Sequence, residues 1–217
     1  MKSRNSKAIY QPPSLIEELA LSAQGYKSVA GIDEAGRGAL AGPVVAAAVI
    51  LPQSAEHPRL RDVRDSKETP AAKRKVLYDV IMDEAVAVGV GIVPPQTIDS
   101  VNILNATRIA MRQAVEQLAC LPDFLLVDGM TIPRLNIRQK GIVKGDKLCL
   151  SISCASIIAK VTRDRIMVEL SESYPNYGLA QHKGYGTSHH LFCLNQHGPS
   201  PIHRFTFAPV RETMRLV

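Results

Sequence analysis

The sequence predicts a mixed α/β fold in a single domain, on three observations. Branched apolar runs at residues 28–33 and 43–51 read as buried strands. The glycine-rich stretch 36–42 joins them as a strand–turn–strand opening. Two longer segments further along carry apolar residues at helical spacing, so strands and helices intermix along the chain. With 217 residues, 46% of them hydrophobic, the chain is long enough to bury one substantial core. No internal repeat or long linker divides it.

Taken in order, residues 14–24 form a short helix inside an N-terminal extension, 1–27. After the two opening strands, Thr69 followed by Pro70 resembles a helix start, with the threonine as cap and the proline at the first helical position. Residues 85–93 read as a third strand. In the segment 97–119, Val101, Leu104, Met111, Val115 and Leu118 recur at helical spacing and turn one face inward. Residues 124–127 form a short strand, and a last strand lies near Ile142 and Val143. Ile152, Ala155, Ala159, Ile166 and Leu170 trace the buried stripe of another helix.

Several classes are disfavoured. The polar N-terminus with Pro12 and Pro13 lacks a signal peptide's apolar core, so a cytoplasmic protein is expected. The most apolar run, 39–51, contains Gly42 and Pro43 and is shorter than the roughly 20 residues of a spanning helix, so no membrane association is expected. Cys120, Cys149, Cys154 and Cys193 form no CxxC pair and read as reduced thiols. His189, His190, His197 and His203 lack zinc-site spacing and read as surface or loop histidines. The net charge of +6 suits an anionic partner without proving one.

Asp33–Glu34 closes an apolar strand, where two adjacent carboxylates need solvent or a cation. Read alone, they suit a solvated acidic pair entering a turn. The following GRGALAG has glycines like a dinucleotide fingerprint, but Pro43, Val44 and Val45 continue as a strand and not as a helix. Asp128 precedes Gly129 at another strand end, and Asp146 lies in Lys144–Gly145–Asp146 before a helix; each alone is an ordinary turn signal. Were the four acids to converge, two bare carboxylates about 4 Å apart would repel by roughly 4 kcal/mol at an effective dielectric of 20. Divalent cations would relieve that, and an all-oxygen site suits two ions of Mg²⁺ or Mn²⁺.

The stretches GIDEAGRGALAGPVVAAAVIL, DSK, LVDG, VKGD, SISCASIIAKVTRDR and YGLAQHKGYGT together resemble the bacterial ribonuclease HII family, over about residues 29–210. Asp62–Val63–Arg64 before DSK and Cys154 before ASIIAK depart from the family's commonest form. The resemblance implies a ribonuclease H-like mixed sheet flanked by helices with a small helical C-terminal part, spanning 28–217. It implies an endonuclease that cuts the RNA of RNA–DNA hybrids and incises 5′ of single ribonucleotides in duplex DNA. The metal-binding and catalytic carboxylates would be Asp33, Glu34, Asp128 and Asp146.

By the same resemblance, Gly36, Arg37 and Gly38 would read the ribonucleotide junction through backbone groups near the 2′-hydroxyl. Tyr185 would lie against the neighbouring sugar. Lys67, Lys160, Arg163 and Lys183 are candidate phosphate contacts, for each of which a solvated charge is an equal reading. Asp164, four residues after Lys160, reads as an intrahelical ion-pair partner and not as a fifth ligand. A monomer is expected. The competing readings are a junction resolvase of the same superfamily and a non-catalytic RNA–DNA binder. The extension before Val29 is short for the extra domain of the related ribonuclease HIII.

Overall fold

The structure, a computed structural model, describes residues 12–54, 56–67 and 69–214; the first eleven residues of the N-terminal extension lie outside the described residues. Its centre is a five-stranded sheet built from β1 (Val29–Ala35), β2 (Val44–Ile50), β3 (Ala87–Val93), β4 (Phe124–Asp128) and β5 (Arg138–Ile142). The strand order is β3-β2-β1-β4-β5. The β1, β2 and β3 neighbours are antiparallel, whereas β1, β4 and β5 run parallel. A mixed sheet follows from the connections: a short glycine-rich loop joins β1 to β2, and β1 reaches β4 only after intervening helices.

Every residue of β2 is buried, as expected for a central strand covered on both faces. One face packs on α3 (Pro95–Glu116), with Ala30, Ile32, Ala46, Ala48, Ala110, Met111 and Ala114 in the shared core. The other face packs on α2 (Ala71–Glu84) and α5 (Leu150–Ser173), with Ala47, Val49, Leu77, Ile81, Ala155 and Ile158. Helix α5 lies so close to β1 that a Cβ on Gly31 would stand 2.2 Å from the backbone carbon of Ser151. That approach places the start of α5 directly over the strand that carries Asp33.

The described part of the extension, with α1 (Ile16–Ala23), is tied to the body. Glu18 Oε1 accepts from both Ser151 N and Ser151 Oγ, and Ser14 N donates to Leu148 O. At the other end, α6 (Leu179–His182), α7 (Ser188–His197) and α8 (Ala208–Thr213) enclose a small core of Tyr177, Leu179, Leu194 and Val210. Leu40, Ala41 and Met167 join this core, so the β1–β2 turn and the C-terminal part share one packing unit.

Four local expectations are corrected. Thr69 does not cap α2: its hydroxyl donates to Asp65 O, and Pro70 occupies the cap position. Leu104 is not on the inward face, because α3 breaks at Asn102 (φ 65°, ψ 164°), whose side chain accepts from Asn105 N and starts a second helical segment. Val143 is outside the last strand, which runs from Arg138 to Ile142, and it is exposed. Helix α5 has no single stripe near its start, since Leu150 to Ala159 are all buried.

Candidate active site

Asp33 and Asp128 come together through strand register. Parallel pairing aligns Ile32 with Val127, so the next residues, Asp33 and Asp128, stand side by side at the carboxyl ends of β1 and β4. Asp128 Oδ1 then accepts from Gly145 N at 2.7 Å. This bond brings in α4 (Gly145–Leu148), whose second residue is Asp146. Lys144, in the left-handed region at φ 57°, turns the chain sharply from β5 into α4. Local chain geometry thus gathers three distant acids, and Glu34 follows Asp33 on the same strand.

The electrostatics match a crowded acidic centre. Burial pushes the Asp33 carboxyl well above the usual carboxylate range, and the charges of Glu34 and Asp128 add to it. Ser156 and the Glu34 N–H, which donates to Asp33 Oδ1 at 2.7 Å, partly offset this. Burial also raises the Glu34 carboxyl, with Arg37 opposing and Asp128 reinforcing. Asp146 is raised by burial, then by Asp128 and Asp65. Lys67, its Nζ 3.9 Å from Asp146 Oδ2, feels burial in the opposite direction, but Asp146, Asp65, Asp33 and Asp128 together push its ammonium upward.

Glu34 Oε1 takes a 3.4 Å contact from Arg37 Nη1, while Glu34 Oε2 is buried with no hydrogen-bond partner. An orphaned buried carboxylate oxygen among further carboxylates is the kind of acceptor that a hard cation satisfies. Among the described residues, no three acidic, imidazole or thiol side chains stand close enough together, as placed, to hold a metal ion.

One residue that sequence reasoning left unassigned belongs to this neighbourhood. Asp65, the acid of DSK, is buried; its Oδ1 accepts from Lys67 N at 2.9 Å and its Oδ2 lies 3.3 Å from Lys147 Nζ. Beside it, Ser66 Oγ and Ser156 Oγ are 2.9 Å apart, which links the DSK turn to the serine on Asp33. The only signal in the sequence was a short Asp-x-Lys turn within an irregular stretch.

The glycine-rich turn and the Tyr185 loop form one unit beside the acids. Gly36 has φ 94°, and a Cβ there would stand 2.0 Å from Arg163 Nε. Arg37 and Gly38 are exposed, and Gly38 faces open space. Leu40 N donates to Gly184 O at 2.8 Å, and Ala39 bridges to Tyr185. Two fully buried arginines brace the pair from behind. Arg204 Nη1 donates to Arg37 O and its Nε and Nη2 to Gly42 O; Arg163 donates to Ala41, Pro43 and Lys183 carbonyls, each at 2.9 Å.

Those bonds correct the expectation that Arg163 contacts phosphate: each of its three nitrogens donates to a backbone carbonyl and none of its surface is exposed. Lys160 bonds Asp164 at 2.7 Å, as the i,i+4 spacing anticipated, and lies 5.4 Å from the Tyr185 ring centre. Lys160, Lys183 and Tyr185 line a groove of about 570 Å³ with Arg74 and Lys75. The surface reading of the histidines is also corrected in part: His189 and His197 are exposed, but His190 and His203 are wholly buried.

A mixed sheet of this order, with acids at the adjoining ends of β1 and β4 and a basic groove alongside, defines a nuclease with a ribonuclease H-like fold. The chain belongs to the ribonuclease HII family, whose model, described as Ribonuclease HII, matches residues 30–210. Ribonuclease HII of Dehalococcoides mccartyi strain 195 is 55% identical over 205 residues, 94% of this chain and 97% of that one. Ribonuclease HII of Geotalea uraniireducens is 52% identical over 216 residues, 99% of each. Among solved structures, ribonuclease H2 from Pyrococcus horikoshii OT3 superposes with a TM-score of 0.72 at 29% identity, covering 87% of this chain and 98% of that one. RNase HII from Archaeoglobus fulgidus, solved in complex with PCNA, gives 0.67 at 26% identity, covering 84% and 96%. The protein is accordingly a ribonuclease H, a hydrolase acting on the RNA strand of RNA–DNA hybrids.

Proposed function

We propose that this ribonuclease H also incises duplex DNA on the 5′ side of a single embedded ribonucleotide, leaving 3′-hydroxyl and 5′-phosphate ends. Asp33, Glu34, Asp128 and Asp146 hold two divalent ions, Mg²⁺ or Mn²⁺, in this reading. The observation that carries it is the register that sets Asp33 beside Asp128, with Asp146 drawn in through the Gly145–Asp128 bond. Bound there, such ions supply an activated water and stabilise the leaving oxygen.

The chain's own groups do the rest. Asp33 is held in place by Ser156 and the Glu34 N–H, and Glu34 keeps one buried oxygen free of protein partners. The open space at Gly38 lets a sugar edge approach the Gly36–Arg37–Gly38 backbone, where amides and carbonyls test for a 2′-hydroxyl. Arg37 takes a phosphate, and the half-buried Tyr185 ring takes the neighbouring sugar. Lys67, Lys160 and Lys183 hold backbone phosphates without reading sequence.

The enzyme works as a monomer in the cytoplasm on this reading. Both faces of its sheet are covered by its own helices, and all four cysteines are free thiols. No helix among the described residues is long and apolar enough to cross a membrane. The test is to incubate the purified chain and Mg²⁺ or Mn²⁺ with a DNA duplex bearing one ribonucleotide and to map the product ends. A single cut 5′ of the ribonucleotide supports the reading. Binding with no cut, or cutting of all-DNA junctions instead, overturns it in favour of a binder or a resolvase.

A further inference from the structure

We propose that His190 and His203 are positioning residues for ribonucleotide selectivity: a one-directional chain of hydrogen bonds through two neutral imidazoles fixes the backbone of Tyr185. The inference rests on the sugar-facing role proposed for Tyr185. His190 Nδ1 lies 3.0 Å from Tyr185 O, His190 Nε2 lies 3.1 Å from His203 Nε2, and His203 Nδ1 lies 3.0 Å from Ser200 N and 2.9 Å from Ser200 Oγ.

The backbone groups at the two ends dictate where the protons sit. A carbonyl can only accept, so His190 Nδ1 carries a proton and donates to Tyr185 O. A backbone N–H can only donate, so His203 Nδ1 is bare and accepts from Ser200. Neutrality then leaves His190 Nε2 bare and His203 Nε2 protonated, which is the one arrangement that makes their mutual contact a hydrogen bond. Reasoning from either end gives the same direction. A second proton on either ring would set two N–H groups against each other in a buried site, and burial indeed holds both imidazoles down at about 4.

The chain ends on the element that matters. Its last acceptor is the carbonyl of Tyr185, whose loop is bonded to the glycine-rich turn through Gly184 O and the Ala39 bridge. His182 stacks on His190 at 4.4 Å, accepts from Gly184 N and contacts Tyr177 O, adding a parallel hold on the same loop. The other groups facing the pair are His189 of α7 and the Tyr177 ring, 4.7 Å from His203. Among the described residues neither imidazole bonds a carboxylate. The device therefore sets geometry without placing a charge behind the cleft.

The test compares kcat and KM on a single-ribonucleotide duplex and on a long RNA–DNA hybrid for the wild type, His190→Leu, His190→Asn, Ser200→Ala and Tyr185→Ala. His190→Leu is expected to lower the ratio of lone-ribonucleotide to hybrid cleavage about two- to tenfold, the range of one net hydrogen bond, and mainly through kcat. His190→Asn keeps a donor for Tyr185 O and should restore most of the ratio. An unchanged ratio in His190→Leu, alongside a changed one in Tyr185→Ala, overturns the positioning role alone. An unchanged ratio in Tyr185→Ala overturns the underlying role of the tyrosine instead. Should His190→Leu not fold, Ser200→Ala and ¹⁵N NMR of the wild-type imidazoles carry the test. The spectra should show the proton on Nδ1 of His190 and on Nε2 of His203, and an imidazolium at either position at pH 6 overturns the inference.

Discussion

Asp33 and Asp128 stand abreast at the ends of neighbouring parallel strands, one position beyond the paired residues Ile32 and Val127. Strands in that relation lie about 4.8 Å apart, and residues in register point to the same face. The Asp33–Asp128 pair is therefore a property of the sheet itself, fixed by backbone hydrogen bonds, and Asp146 is added to it from α4 by the Gly145–Asp128 bond.

Asp128→Asn is expected to abolish cleavage while duplex binding stays within a few-fold of wild type. The amide can still accept from Gly145 N, so α4 keeps its place, but a charged oxygen is lost from the centre. The loss should exceed the roughly 10–100-fold cost of removing a group that merely supports a metal ligand. Cleavage assays with parallel anisotropy titrations measure both quantities, and full activity in the variant would contradict the assignment.

Asp33→Asn is expected to raise the melting temperature in the presence of a chelator. Burial, Glu34 and Asp128 raise the Asp33 carboxyl, so its ionised form opposes folding. A group raised in this way contributes stability below its unfolded value and loses it as pH rises through the folded value, so the benefit of the amide is greatest at neutral pH. Each kcal/mol recovered corresponds to roughly 2–4 °C in a chain of this size. Addition of Mg²⁺ should stabilise the wild type more than the variant, as differential scanning fluorimetry would show.

The contrast between Asp33 and Asp65 shows what the sequence could reveal. Asp33–Glu34 follows an apolar strand whose pattern marks both the element and its end, so the pair's position at a strand end was legible from residues 28–33, while read alone it suited a solvated acidic pair and only the family resemblance made it a candidate for the site. Asp65 sits in an irregular stretch with no periodicity, and only the tertiary fold buries it beside Asp146. Arg163 misled for a related reason: three residues after Lys160 on a helix, it looks like a second surface cation, and spacing does not reveal that the C-terminal part covers that side. His190 and His203 likewise read as loop polars, because their burial depends on packing between α7 and a segment without regular structure.

Acidification should destabilise the fold through the histidine pair. His190 and His203 are both lowered to about 4, against about 6.5 when unfolded, so the unfolded chain binds more protons in that window. Stability is full above about pH 6.5 and is lost as pH falls towards 4. By pH 5 the loss is on the order of 2 kcal/mol for one such histidine, and because His190 helps to lower His203 the two losses do not simply add. The raised carboxylates act in the opposite sense, so the diagnostic quantity is the difference between wild type and His203→Asn in urea unfolding at pH 7.5 and pH 5. A smaller pH dependence in the variant is expected; an equal one would mean that the pair is not held neutral.

Gly36→Ala is expected to damage the enzyme by two routes that act together. The residue has φ 94°, a conformation that costs a side-chain-bearing residue about 1 kcal/mol or more. The new methyl would also meet Arg163, whose guanidinium cannot swing away without giving up its bonds to the Ala41, Pro43 and Lys183 carbonyls. The arginine is thus a rigid neighbour, and relief must come from the turn itself, which moves Arg37 and Gly38 relative to Tyr185. Gly38→Ala provides the comparison, because nothing lies within 4 Å of its Cβ position and its φ is not in the left-handed region. We expect Gly36→Ala to lose both thermal stability and cleavage, and Gly38→Ala to keep its stability while losing cleavage through obstruction of the sugar edge. Melting curves together with cleavage rates for the two variants separate support of the turn from contact with the substrate.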